Sequence, residues 1–376
     1  MTDTPVGRSG FTARTSGVLK KYDWGTQDGL RAWAQGVTEK PQAELWYGDH
    51  PSGDSSVLEA LGGPANPSTL NELTHGQAPL LLKLISCARA LSIQVHPNEA
   101  IAKEGLTSFK TDAGEPVLVD SSGKDEMLLA LSQFDLLAGF VDTGTGAQIL
   151  RDFGGAFDAA ADAYQAGDVP EAIRKIMQKS ALQMRRLTPL LPAQIAFDLG
   201  KEVIVSDDSA LVVAALMQRV RLYPGEAIHV PPGTVHAYIG GTGVELMTTS
   251  DNVLRIGLTS KPRALEAALS VMRLYPVQEV PPVVSEGVKV FSPQAAPFEL
   301  RDIAATEPSS FELPGASYQV VLALDGPCEV VTAHGRLVCE VGQAAVVSQV
   351  GDLAPRPIVV LTSARAVAAS SKQVAN

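Results

Sequence analysis

Between Leu222 and Thr249 the chain reads LYPGEAIHVPPGTVHAYIGGTGVELMTT, with turn signals at Pro224-Gly225, Pro231-Pro232-Gly233 and Gly240-Gly241. Prolines and glycines this closely spaced break any helix, and the apolar residues between them fall in short alternating runs. Such a pattern specifies antiparallel strands joined by tight turns, as in a β-sandwich or barrel. The same texture appears upstream. Pro79 to Pro97, PLLLKLISCARALSIQVHP, reads as strands closed by a proline, and Leu118 to Phe140 is punctuated by Gly123 and Gly139. Downstream, Tyr318–Leu324, Cys328–Thr332 and Ala344–Ser348 are further short strands.

Only the middle of the chain differs. From about Thr143 to Arg219 the composition shifts to Ala, Gln, Leu and Arg, and Asp168-Val169-Pro170-Glu171 is a helix start with Asp168 as cap and Pro170 in the first turn. Ile173, Ile176 and Met177 recur at helical spacing, a second apolar helix is expected over Ser209 to Gln218, and a short one over Pro262 to Met272. Pro276 to Pro282 reads as a linker.

At 376 residues the chain can bury two or three ordinary cores. Its 30 Lys+Arg against 41 Asp+Glu leave a net charge of −11, which repels polyanions and argues against nucleic acid or anionic membranes as partners. An anionic substrate must therefore meet a local cluster of cations. No apolar run approaches the ~20 residues of a membrane helix, and Met1 to Gly10 lacks a leader pattern, so the expected compartment is the cytoplasm. Cys87, Cys328 and Cys339 make no CxxC pair and read as packed, reduced thiols.

The chemistry begins at Ser92-Ile93-Gln94-Val95-His96-Pro97. In a strand, residues two apart share a face, so Ser92, Gln94 and His96 point the same way and are costly to bury without a partner such as a metal. A second segment, Gly225 to His236, has the G-x5-P-x-G-x2-H form of the second cupin motif, in which the turn at Pro231 to Gly233 aims His236 inward. Lys124 and Glu126, again two apart, share a face. A lysine inside PLLLKLI, Lys83, is costly unless it faces a polar cavity.

Taken together, SIQVHP, KDEMLLAL followed by LAGF, GEAIHVPPGTVHAY and SDNVLRIGLTSK resemble, in order, the signature blocks of type I mannose-6-phosphate isomerases. Upstream, Tyr22-Asp23-Trp24-Gly25 and Glu44 to Ser52 are similar to that family's first blocks, so the resemblance spans Tyr22 to Lys261. It implies a mainly β fold: a catalytic cupin domain from residues 1–142 plus 220–280, a helical insertion at 143–219, and a C-terminal jelly roll at 283–376 without metal ligands. It further implies that Gln94, His96, Glu126 and His236 bind one Zn²⁺, that Arg255 serves catalysis and that Lys124 lines the pocket. From their chemistry Lys124 and, behind it, Asp251 are expected to move the proton. Lys83, Ser92, Glu245 and Lys261 would contact a phosphorylated hexose. The expected activity is the interconversion of mannose 6-phosphate and fructose 6-phosphate through an enediolate, by a monomer.

Elementary electrostatics supports that assignment. One carboxylate and three neutral ligands leave a divalent ion with a net charge of about +1, still a Lewis acid for a developing oxyanion. One position departs from the family pattern. Ser122-Gly123-Lys124-Asp125-Glu126 stands where many members have N-H-K-P-E, so the histidine considered there as a base is replaced by Gly123. That departure favours a second expectation, a non-catalytic cupin that binds sugar phosphates. An iron cupin dioxygenase fits less well, since those sites rely on several histidines and one ligand here would be a glutamine.

Overall fold

The computed structural model describes residues 10–34, 39–179, 208–274, 277, 279–349 and 355–372. Antiparallel sheets of eight, ten and four strands dominate it, the ten-stranded one consisting of two smaller sheets joined by a shared strand. The long strand His236–Thr248 organises the catalytic part because it belongs to two sheets at once. Its first residues pair with Phe134–Phe140 and, at His236, with Gln94. From Gly241 onward it pairs with Leu80–Cys87 and Glu126–Ala130. The ladder shifts register between Tyr238 and Gly240, and Gly241 has φ +130°, a backbone open to glycine alone.

Alternation then assigns each face. Along Leu80–Cys87 every residue is buried, but Leu80, Leu82 and Leu84 join a core shared with Phe298, Leu300, Val320 and Leu322 of the C-terminal sheet. Lys83 and Ile85 point the other way and line a cavity. In the second sheet, Ile93, Val95, Leu254 and Ile256 pack against the helices, while Gln94 and Arg255 face the same cavity. The cavity is thus roofed by one sheet backed by strands and floored by another backed by helices.

The helical layer includes Thr143–Asp152, Asp158–Gln165 and Val169–Met177. As expected, Asp168 caps the last of these, its Oδ1 accepting from Glu171 N at 3.0 Å, and Ile173 and Ile176 are fully buried. Each such side chain contributes about 1.5–3 kcal/mol by leaving water. The second expected helix is shorter than its sequence suggested: it covers Ala210–Ala215, and Met217–Leu222 is a strand against Phe134–Phe140. Met217 and Gln218 read as helical because they follow directly on the unbroken apolar run from Ala210, whereas cross-strand pairing decides them. The short third helix is Leu265–Val271. Residues 180–207 of the expected insertion, and Pro276 and Gln278 of the expected linker, lie outside the described residues.

The C-terminal unit packs an eight-stranded sheet on a four-stranded one. Strand pairing crosses the expected domain boundary here. Phe11–Ser16 pairs with Gln343–Ser348 on one side and Ser56–Gly62 on the other, so two N-terminal strands complete the C-terminal sheet. Nothing local in those strands encodes a partner more than three hundred residues away. The hairpin Cys328–Thr332 and Gly335–Cys339 sets Cys328 directly opposite Cys339, both as buried free thiols. Among the described residues no helix is long and apolar enough to cross a membrane.

Candidate active site

Two rows of side chains, each produced by cross-strand register, face the cavity. In the first sheet Trp46 lies opposite Lys83, which lies opposite Glu245. Accordingly, Lys83 Nζ is 3.0 Å from Glu245 Oε2 and 4.7 Å above the Trp46 ring. Trp46 Nε1 donates to Glu44 Oε2 at 2.8 Å. Burial alone would pull the Lys83 ammonium down, yet Glu245 and Glu44 hold it above its ordinary value. Burial pushes the Glu44 carboxyl up against the pull of Lys83.

In the second sheet Arg255 lies opposite Gln94, which lies opposite His236. His96 and Glu126 complete a buried group with His236, their candidate ligand atoms all within 4.8 Å of one another. Glu126 Oε2 is 3.3 Å from His96 Nε2 and 3.4 Å from His236 Nε2. The other ring nitrogens face backbone carbonyls: His96 Nδ1 donates to Asn252 O at 2.8 Å, and His236 Nδ1 donates to Thr234 O at 3.0 Å. Each ring therefore carries its proton on Nδ1 and turns the Nε2 lone pair toward the carboxylate. Three acceptors converge with no proton between them, and His96 Nε2 and Glu126 Oε2 are buried without a hydrogen-bond partner. A buried cluster of this kind is costly without a cation among its lone pairs, so the donor set fits a divalent metal ion.

Gln94 stands beside the group, its Nε2 3.3 Å from His236 Nε2 and its Oε1 accepting from Ser92 Oγ at 3.1 Å. To serve as a ligand it must turn its amide, a change the Ser92 hydroxyl tolerates because it can accept as well as donate. Lys124 Nζ donates to Glu126 Oε1 at 2.9 Å, leaving Oε2 for the metal group. Burial would raise Glu126, but Lys124 outweighs it and holds the carboxyl well below its ordinary range. Burial, helped by Lys124, brings His96 down to about 4.

These directions give one pH prediction. A histidine depressed from 6.5 to about 4 contributes stability above the unfolded value that is lost as pH falls through the folded one. The metal-free protein is therefore expected to lose thermal stability progressively from about pH 6.5 to pH 4. A melting temperature flat across that window would show that His96 is not held neutral.

The cavity above the group has a volume of about 520 Å³ and contains Lys83, Ser92, Gln94, Lys124, Glu126, Glu245, Asp251, Arg255 and Lys261 in its wall. Every non-histidine residue expected at the site is thus brought to one place, with His96 and His236 buried beneath. The charges differ in how they are met. Lys83 is paired with Glu245 and Lys124 with Glu126, whereas among the described residues no carboxylate lies within ion-pair distance of Arg255 or Lys261. Lys261 Nζ sits 5.3 Å over the Tyr22 ring.

The wall also contains residues the sequence reading passed over: Tyr22, Glu44, Trp46, Arg89, Asp208 and Tyr238. Glu44 and Trp46 had a usable signal, since E-x-W in a strand puts a carboxylate and an indole on one face. Arg89 and Asp208 lie in loops and gave none.

Residues 13–143 match the family of the phosphomannose isomerase type I catalytic domain. The mannose-6-phosphate isomerase of Escherichia coli K12 is 31% identical over 273 residues, covering 65% of this chain and 70% of its own length. That of Schizosaccharomyces pombe is 31% identical over 301 residues, covering 67% and 71%. The chain belongs to the type I phosphomannose isomerase family. A crystal structure of phosphomannose isomerase from Salmonella typhimurium has the same fold, with a TM-score of 0.79 at 23% identity over 96% of this chain and 100% of that one. A crystal structure of mannose 6-phosphate isomerase bound with zinc and yttrium superposes with a TM-score of 0.77.

Within that family frame Gly123 acquires a physical reason. A Cβ built there would lie 2.5 Å from Glu99 N and 2.9 Å from Asn98 C, so the loop before Lys124 packs directly on the Asn98–Glu99 backbone. A side chain at 123 requires that loop to move.

Proposed function

We propose that this phosphomannose isomerase family member interconverts mannose 6-phosphate and fructose 6-phosphate with zinc held by His96, Glu126, His236 and Gln94. The observation that carries the reading is the convergence of three unprotonated ligand atoms at one end of a cavity whose wall includes Lys83, Lys124, Arg255 and Lys261. When bound, the ion would supply Lewis acidity toward the sugar's C1 and C2 oxygens and so favour an enediolate.

The chain's own residues account for the remainder. Arg255 and Lys261, which no carboxylate of the described residues meets at ion-pair distance, are the groups best placed to hold the dianionic phosphate. The sugar's reactive end then lies toward Gln94, Lys124 and Glu126. Arg255, half-buried, also contributes positive charge to the enediolate. Lys83, fixed between Glu245 and Trp46, is a donor for sugar hydroxyls, Ser92 can donate or accept, and the Glu245 carboxylate accepts from them. Proton transfer between C2 and C1 is assigned to Lys124, with Asp251, the acidic neighbour of Arg255, as the second candidate.

Gly123 favours the alternative, a cupin that binds sugar phosphate without turning it over. A coupled assay of mannose 6-phosphate conversion separates the two. Turnover is expected that is lost on incubation with a chelator and regained with zinc. Metal-replete protein that binds mannose 6-phosphate yet shows no turnover between about pH 6 and 9, where a substitute base would titrate, would establish the binding protein instead.

A further inference from the structure

The segment from Val119 to Gly123 leads directly into Lys124 and Glu126, and one network ties it to the strand entry at Ser250–Asn252. The Asp120 carboxylate accepts four donors: Ser122 N at 2.8 Å and Asn252 Nδ2 at 2.9 Å on Oδ1, Asp251 N at 3.2 Å on Oδ2, and Ser250 Oγ at 3.0 and 3.1 Å on both oxygens. Asn252, fully buried, closes the network in both directions. Its Nδ2 also donates to Asp120 O at 2.8 Å and Ser122 O at 3.0 Å, and its Oδ1 accepts from Val119 N at 2.9 Å and Asp120 N at 3.3 Å.

The same stretch controls three functional groups. The Asn252 carbonyl is the acceptor that fixes the His96 proton on Nδ1. Asp251, exposed beside the cavity, hangs from the backbone N–H bound to Asp120. Lys124 follows the clamped loop after one glycine, a residue with no side chain to anchor itself. Other bonds hold that loop, from Lys124 N to Pro97 O at 3.0 Å and from Thr248 Oγ1 to Gly123 O at 2.8 Å. Neither of these reaches the Ser250–Asn252 segment.

We propose that Asp120 is a positioning residue of this centre, acting through Ser250 and Asn252 to set the place of the carbonyl that orients His96 and of the loop that presents Lys124. Hydrogen bonds to a carboxylate are about twice as strong as those between neutral groups, which suits one side chain to gathering four donors from two chain segments. Partners that orient metal ligands cost roughly 10–100-fold in metal affinity or activity when removed.

The role in turnover rests on the isomerase reading, whereas the role toward His96 does not, and the test separates them. Zinc affinity is measured on Asp120→Ala and Asp120→Asn by competition with a chromophoric chelator. Nitrogen NMR of the histidine rings reports the His96 tautomer, and kcat and KM are measured with mannose 6-phosphate. Asp120→Ala is expected to weaken zinc about 10-fold and lower kcat about 10-fold with KM little changed. It should also admit the second His96 tautomer, while Asp120→Asn, which keeps one acceptor, recovers part of each loss. A folded Asp120→Ala protein with zinc affinity, tautomer and kcat like the parent overturns the proposal. If the parent itself shows no turnover, the isomerase reading fails and the zinc and tautomer measurements still decide the clamp. Should Asp120→Ala not fold, Ser250→Ala removes only the hydroxyl shared by both Asp120 oxygens. About threefold losses are then expected for one hydrogen bond, and none would overturn the proposal.

Discussion

Glu126→Gln is expected to yield a folded protein that loses its zinc on dialysis and retains less than a thousandth of the parent's turnover. The carboxylate is the one anionic ligand in the set, and its Oε2 is the atom on which both histidine Nε2 atoms converge. A neutral amide there offers a weaker oxygen or, turned over, a donor aimed at two lone pairs. Loss of the Lewis acid removes several kcal/mol of transition-state stabilisation, and each 1.4 kcal/mol is tenfold in rate. Glu126→Gln also leaves the buried Lys124 without its counter-charge, so His236→Ala is the companion variant. It removes a ligand while sparing the Lys124–Glu126 pair. Metal content and kcat should fall in both variants. Stoichiometric zinc with unchanged kcat in His236→Ala would exclude the proposed centre.

Much of this site was legible because strands translate sequence spacing directly into geometry. Ser92, Gln94 and His96 on one face, and Lys124 beside Glu126 on another, follow from a period of two. The cupin-like turn at Pro231 to Gly233 likewise delivers His236 where its strand begins. What could not be read is register between strands far apart in sequence. The rows Trp46–Lys83–Glu245 and Arg255–Gln94–His236 exist only because four ladders align as they do, and no local pattern states which residue stands opposite which. The same blindness hid the return of Phe11–Ser16 to the C-terminal sheet and the meeting of Cys328 with Cys339. Helix ends failed for a different reason. Met217 and Gln218 follow an apolar helical run without a break, and only a neighbouring strand edge makes them extended.

Gly123 shows how a departure from the family pattern is read once the fold is known. Sequence alone presented it as a lost base. In the structure it is a site of close backbone approach, where the loop to Lys124 rests on Asn98 and Glu99. A side chain at 123 would push that loop, and Lys124 with it, off this seat. On the proposed reading, proton transfer then falls to Lys124.

Lys124→Met follows from that assignment. Methionine matches the length of the lysine stem and suits a position only 4% exposed, so the cavity wall is retained while the charge and the exchangeable protons are removed. Turnover is expected to fall about 10²–10⁴-fold, the usual contribution of a positioned acid or base. Metal affinity should hold or increase, because the competing cation on Glu126 Oε1 is gone. The metal-free form behaves in the opposite way. Breaking a buried pair by removing one partner costs about 3–5 kcal/mol, since Glu126 is left charged and unmatched in the interior. Zinc restores the missing charge, so it should raise the melting temperature more in Lys124→Met than in the parent. An inactive, zinc-replete variant with this enlarged shift would separate the lysine's part in the reaction from its part in the fold. Near-parental kcat would instead transfer proton movement to Asp251.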